Sequence, residues 1–370
     1  MSKWEVKVRK ISKVMPHENA DRLDVARADG FDWDIVVGKD QFKVGDLAVY
    51  VPIESILPQN LVDTIFKDSK VKPHNGRVKA VKIRQKVSYG LLLTPQEGMK
   101  NGDDVAEKLG IVKWEPPEFL PGTRSFAVKK RNQNLYFKEY VDIENIKYYP
   151  NTFGYDEGDV IITEKIHGTN FRFGKLKKSP GNWFQKIWNR VTSDHEFVVG
   201  SHHVQQNPLA MGKTWLEQRG LTTGNVYLET VKKLNAKEWC PDNYIFFGEI
   251  YGKGIQDMNY GLNEPSVAFF DVMYIDPVTG EDRYLNYDEF TALCDDYGLE
   301  RVPELYRGPW NQDCLNYRTG LALAGTNREQ LREGCVVKTV IEKRNSLLGR
   351  TILKVINEEY LLRDKGTEFH

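Results

Sequence analysis

Residues 163–174 read TEKIHGTNFRFG, and in this stretch Lys165, His167, Gly168, Thr169 and Asn170 could together act on a phosphate. A lysine amine attacks an electrophile only when neutral, and at its ordinary pKa of about 10.4 it is almost wholly protonated at neutral pH. Burial at a strand end, or a nearby metal or cationic charge, would free its lone pair. Gly168 lets the backbone turn sharply beside a ligand. Thr169 and Asn170 offer short hydrogen-bonding arms to a ribose or a phosphate. A lone K-x-x-G reads more simply as a solvated strand-end lysine before a turn, so the assignment depends on the residues beyond it.

The longer run EKIHGTNFRFG resembles motif I of the covalent nucleotidyltransferases, the superfamily of ATP-dependent ligases and mRNA capping enzymes. In its K-x-H-G-T-N form it resembles RNA ligases in particular. The resemblance implies that Lys165 takes AMP from ATP through a phosphoramide bond, with Glu164, Ile166, His167, Gly168, Thr169 and Asn170 around the nucleotide. Further segments come in the family's order. FVVGSHHVQ (197–205) stands at motif Ia, with His202 where a basic residue is usual. YIFFGEIYG resembles motif III and implies that Glu249 faces ribose or metal. VAFFDVMYI resembles motif IIIa, with Phe270 rather than Phe269 stacked on adenine. REGCVVKT resembles motif IV, with Glu333 directed to a metal and its waters. RTILKVINEEY resembles motif V, with Lys354 as a second catalytic group on the AMP phosphate.

Two details depart from that pattern or extend it. Motif V commonly has two lysines one residue apart, whereas here Val355 and Ile356 come after Lys354, leaving Lys338 or Arg350 to supply the charge. Arg172, two residues beyond Asn170, is expected to reach a phosphate. Taken singly, Glu249 reads as a strand-end polar residue, Phe270 as core, and Glu333 and Lys354 as surface charges. Their order along the chain is what carries the reading.

The elements that must hold these residues divide at the middle of the chain. Before residue 110, WEVKVRKI, RLDVARAD, DWDIVVGK, LAVYVPI, RVKAVKIRQ and YGLLLTP are short alternating or β-branched runs between turn residues. They predict an OB-like β-barrel domain over 1–110. A proline-bearing linker over 111–145 comes next, with WEPPEFLPG near its start. Strand-like runs then alternate with helical stretches such as TTGNVYLETVKKLNAKEWC and LNYDEFTALCDDYG, predicting an antiparallel-rich nucleotidyltransferase domain over 146–370. The fold class expected is α+β. The N-terminal run resembles OB-like tRNA-binding modules and the first domain of the fifth RNA ligase family, which seals nicks carrying a 3′-OH RNA end. Two stretches are basic: 174–196, which interleaves Trp183, Phe184 and Trp188 with lysines, and 69–86 on the barrel. Either could grip a nucleic-acid strand, or be a satellite core and a solvated face.

Composition sets the remaining bounds. Lys+Arg and Asp+Glu are 52 each, which weighs against a non-specific nucleic-acid coat but leaves room for a basic face. Four cysteines without a C-x-x-C pair read as reduced structural thiols rather than a zinc site. His202 and His203, without a third ligand at sensible spacing, read as a strand-end pair with no role. With no apolar span or signal-like leader, the expectation is a cytoplasmic monomer that does not enter a membrane. ATP and Mg2+ or Mn2+ are the implied cofactors, the metal held by Glu249 and Glu333 through water, and the implied partner is a nicked duplex or RNA. A DNA ligase, a capping enzyme, or a non-catalytic OB-fold RNA- or tRNA-binding protein are the alternatives.

Overall fold

The computed structural model describes residues 4–67, 73–114, 133–153, 158–179, 194–206 and 225–363. Trp183, Phe184, Trp188 and the first residues of the 69–86 run lie outside that set. The chain divides into two units, one containing the described residues of 1–117, 147–150 and 361–370, the other those of 118–146 and 151–360.

The first unit is the expected OB-like barrel. Its strands are β1 (Lys7–Pro16), β2 (Leu23–Ala28), β3 (Ile35–Gly38), β4 (Leu47–Val51), β5 (Ser55–Ile56), β6 (Arg77–Val78), β7 (Ala80–Ile83), β8 (Lys86–Tyr89), β9 (Leu91–Leu93) and β10 (Val112–Lys113). A five-stranded antiparallel sheet runs β3-β2-β1-β4-β9. In β1 the register with β2 slips between Ile11 and Lys13, and such a bulge bends a long strand so that it can pair on both sides. Val6, Val8, Val49, Val51 and Leu93 fill the interior. The run RVKAVKIRQ is not one strand: β7 turns into β8 through Arg84 and Gln85, both at positive φ.

The second unit carries β11 (Glu144–Asn145), β12 (Asp159–Lys165), β13 (Thr169–Lys177), β14 (His195–Gly200), β15 (Gln205–Gln206), β16 (Tyr244–Gly252), β17 (Pro265–Ile275), β18 (Asp282–Tyr284), β19 (Glu304–Pro309), β20 (Gly334–Thr339) and β21 (Ile352–Ile356). They form a six-stranded sheet, β15-β14-β13-β16-β17-β18, and a five-stranded one, β11-β21-β20-β12-β19. Pairing is antiparallel except between β11 and β21. Runs such as YIFFGEIYG are apolar almost throughout because both faces of the central strands are covered. Phe171, Phe173, Phe246 and Phe269 pack on one face of the six-stranded sheet. Val198, Ile245, Phe247 and Met273 pack on the other, where Val336 and Ile352 of the second sheet meet them. Phe137 and Tyr140 are buried in that same cluster. The later part of the expected linker is therefore built into the second unit's core.

The expected helix over 222–240 is broken in two. Asn225 caps the helix Val226–Lys233 by accepting from the Tyr227 and Leu228 N–H groups, and Asn235, in the left-handed region at φ 49, starts a separate turn at Ala236–Trp239. LNYDEFTALCDDYG forms the helix Tyr287–Asp296, where the Glu289 carboxylate accepts from the Asn286 N–H at 2.8 Å. All four cysteines are buried and unpaired. Among the described residues no helix is long and apolar enough to cross a membrane.

Candidate active site

Lys165 ends β12, and its register partner across the ladder is Gly334 at the start of β20. Glu333 immediately precedes that glycine, so the pairing itself brings a carboxylate to the lysine. The Lys165 Nζ donates to Glu333 Oε1. Glu333 is fully buried, while Lys165 keeps 21% of its side chain exposed, the exposure an incoming electrophile needs.

The second carboxylate comes from the other sheet. Asn170 of β13 pairs with Glu249 of β16, so both project from the same face. Glu249 is half-buried. Burial raises its carboxyl to about 8, with Lys165 and the Gly168 N–H pulling down and the charge of Glu333 pushing up. Gly168, between β12 and β13, is required by space: a Cβ there would lie 2.2 Å from the Ile250 carbonyl oxygen and 2.9 Å from the Glu249 side chain.

His167 is a buried strut. Its backbone N–H donates to the Tyr260 hydroxyl at 2.7 Å, Nε2 meets Asp257 Oδ1 at 2.7 Å, and Nδ1 meets the Tyr360 hydroxyl at 2.7 Å. An ionised Asp257 can only accept, so Nε2 is the donor in that bond. Thr169 Oγ1 bonds the Tyr227 hydroxyl at 2.9 Å, and Gln256 Nε2 donates to the Gly168 carbonyl. Sequence reasoning missed Tyr227, Gln256, Asp257, Tyr260 and Tyr360. Only for the loop 253–260 was there a hint, a short polar stretch directly after the Glu249 strand.

The other expected residues divide into two groups. Thr163 pairs with Val336, and Val336 with Lys354, so Lys354 shares the face of the five-stranded sheet that carries Lys165. Phe270 sits at a bulge, because Phe247 pairs with Asp271 and Gly248 with Phe269. Its ring packs edge-on to Tyr140 at 4.9 Å, whereas Phe269 is locked in the core of the opposite face. Glu164 points away from Lys165 by strand alternation, and its Oε2 accepts from the Leu323 and Ala324 N–H groups at 2.7 and 3.2 Å. Ile166 is buried.

Arg172 requires a correction. Only 1% exposed, it donates from Nε to the Ser201 carbonyl at 2.9 Å and from Nη1 to the carbonyls of Phe137 and Lys138. Burying a guanidinium is tolerable only if its donors are satisfied, and here backbone oxygens satisfy them in place of a phosphate. Lys338 and Arg350, the two candidates for the missing charge, both face Asp271. Lys338 Nζ lies 3.2 Å from Oδ1, and Arg350 Nη2 lies 2.6 Å from Oδ2. Arg350 also binds Glu342, and Tyr140 donates to Asp271 at 2.9 Å. Burial lowers the Lys338 amine, although Asp271 opposes it.

Two family models match the chain: an RNA ligase model over residues 158–356 and an OB-fold domain model over residues 5–95. Structures of a Naegleria gruberi RNA ligase share the fold. With pyrophosphate bound, that ligase aligns at a TM-score of 0.70 and 21% identity, covering 97% of this chain and 98% of its own. A variant of it with ATP and Mn aligns at 0.68 and 21%, covering 96% and 98%, and another with AMP and Mn at 0.70 and 21%, covering 97% and 98%. No curated protein sequence matches the chain.

Proposed function

The chain belongs to the RNA ligase family, and from that premise we propose that it is an ATP-dependent RNA ligase that seals 3′-OH/5′-phosphate breaks, in duplexes with RNA at the 3′-OH end, through a lysyl-AMP intermediate. The observation that carries this reading is the Lys165 amine held against Glu333 with Glu249 nearby. ATP as the nucleotide is supported by the ATP- and AMP-bound forms of the Naegleria ligase, which carry Mn.

The donor set fits a divalent cation, because two carboxylates, Glu249 and the fully buried Glu333, gather at Lys165, whose single positive charge cannot balance both. Bound there, Mg2+ or Mn2+ would neutralise phosphate oxygens and keep several waters. The chain's own residues do the rest. Glu333 aims the Lys165 amine, which, being partly exposed, gives up its proton to solvent and attacks the α-phosphorus. The N–P bond forms as the bond to pyrophosphate breaks. An oxygen of the 5′-phosphate at a break then attacks the same phosphorus, the N–P bond breaks and the Lys165 amine is released; the 3′-OH, losing its proton to solvent, attacks the activated 5′-phosphate and expels AMP. Lys354, on the same sheet face as Lys165, offsets charge on the AMP phosphate. Phe270, on the Glu249 side of its strand, is the surface for adenine. Positioning and charge neutralisation supply most of the acceleration.

The test is transfer of label from α-labelled ATP to the protein. Wild type should become labelled, labelled GTP should not substitute, and Lys165→Ala should abolish the adduct. An adduct surviving that substitution places the nucleophile elsewhere. Sealing of nicks differing only in ribose or deoxyribose at each side then reads the substrate, and equal sealing of an all-DNA nick would favour a DNA ligase.

A further inference from the structure

At the end of β14 the bend after Gly200 presents two successive imidazoles, with ring centroids 4.2 Å apart. A third group, from a part of the chain some sixty residues earlier, completes the set: Glu139 Oε2 lies 3.0 Å from His203 Nδ1. Ligand atoms of Glu139, His202 and His203 all fall within 4.8 Å of one another. Asp142 Oδ1 lies 3.8 Å from His202 Nε2, beyond that three-residue set, and adds negative charge beside it.

We propose that Glu139, His202 and His203 bind a divalent transition metal of the zinc class, with water as the fourth ligand. Zinc takes nitrogen at about 2.0–2.1 Å and carboxylate oxygen at about 2.0–2.2 Å in a tetrahedron, which sets donors roughly 3.3 Å apart. Glu139 Oε2 and His203 Nδ1, 3.0 Å apart, stand close to that spacing, and all three donors lie within 4.8 Å of one another, a gap that side-chain rotation closes. Imidazole donors select zinc, nickel or cobalt over magnesium and calcium, which prefer all-oxygen sets. The side chains of His203 and Glu139 are 54% and 44% exposed, so an ion can enter and the donors can rotate onto it.

The position gives the ion a structural consequence. Glu139 and Asp142 lie in the segment whose Phe137 and Lys138 carbonyls hold Arg172. Between the two carboxylates is Tyr140, which donates to Asp271. An ion at this point clips that segment to the end of β14 and so steadies Arg172 and the Asp271 network together. This inference does not depend on the ligase reading.

The experiment is zinc titration of chelator-stripped protein by calorimetry, with excess magnesium present to occupy carboxylates near Lys165. Cobalt absorption in the visible range reports coordination number. Wild type should bind one zinc per chain with a tetrahedral cobalt spectrum. His203→Ala and Glu139→Ala should each weaken binding by at least the roughly 10–100-fold lost when a group merely bonded to a ligand is removed. His195→Ala, whose imidazole faces Asp194 and Asp242 instead, should bind as wild type does. Circular dichroism confirms that each variant is folded, and amide exchange over 137–142 should slow when zinc is added. No zinc uptake by wild type at micromolar concentrations, or equal uptake by folded His203→Ala, overturns the proposal.

Discussion

Single residues decide what the site can do, and Glu249 makes the sharpest case. Its carboxyl is raised to about 8 from an ordinary 4.5, with burial the leading cause. The folded chain thus keeps a proton that the unfolded chain releases, so stability falls as pH rises through that window, from about 4.5 to about 8. Glu249→Gln, of the same shape and without the charge, should flatten this fall. Melting temperatures measured between about pH 4 and about pH 9 would read it. The same proton must leave when a cation binds, so affinity for Mn2+ in wild type should climb with pH, by up to about tenfold per unit, and level off above about 8. A pH-independent affinity would remove Glu249 from the metal site. Motif spacing exposed the residue types here, but not their protonation, because that depends on burial and on which second carboxylate lies near.

At the scale of elements, two antiparallel pairings build the site: β12 with β20 sets Lys165 against Glu333, and β13 with β16 sets Asn170 beside Glu249. The link between β12 and β13 passes so close to β16 that position 168 has no room for a side chain. Gly168→Ala should push those strands apart, costing about 1–3 kcal/mol by analogy with overpacked cores. Urea unfolding would show the shifted midpoint, and AMP transfer should fall with it; an unchanged midpoint would mean the backbone yields cheaply. Most strands were legible because their apolar runs are long and bounded by turn residues. The β7–β8 hairpin was not, since its two-residue turn is Arg84-Gln85, and neither residue announces positive φ as Asn-Gly would. Likewise, the helix predicted across 222–240 breaks at Asn235, where a capping-prone residue took the left-handed region.

For the molecule as a whole, balanced charge makes nucleic-acid binding a matter of where the cations cluster. On the barrel, Lys82 and Arg84 at the β7–β8 tip are exposed. Lys82→Glu should reduce the slope of log affinity against log salt for a nicked duplex by about one, while AMP transfer to Lys165 stays intact. A slope identical to wild type would leave that face merely solvated. What the sequence determined by itself was the order of parts: a barrel, then a nucleotidyltransferase fold whose motif residues come in a fixed succession. Those are local properties, written in periodicity and in short runs of particular side chains. Which charges remain available was settled by packing across distant parts of the chain. Arg172 and Arg350 have the type a phosphate site wants, yet burial forced each to satisfy its donors within the protein, one on carbonyls and the other on Asp271 and Glu342. The same holds for His202 and His203, whose third and fourth neighbours lie some sixty residues away, where no spacing rule reaches.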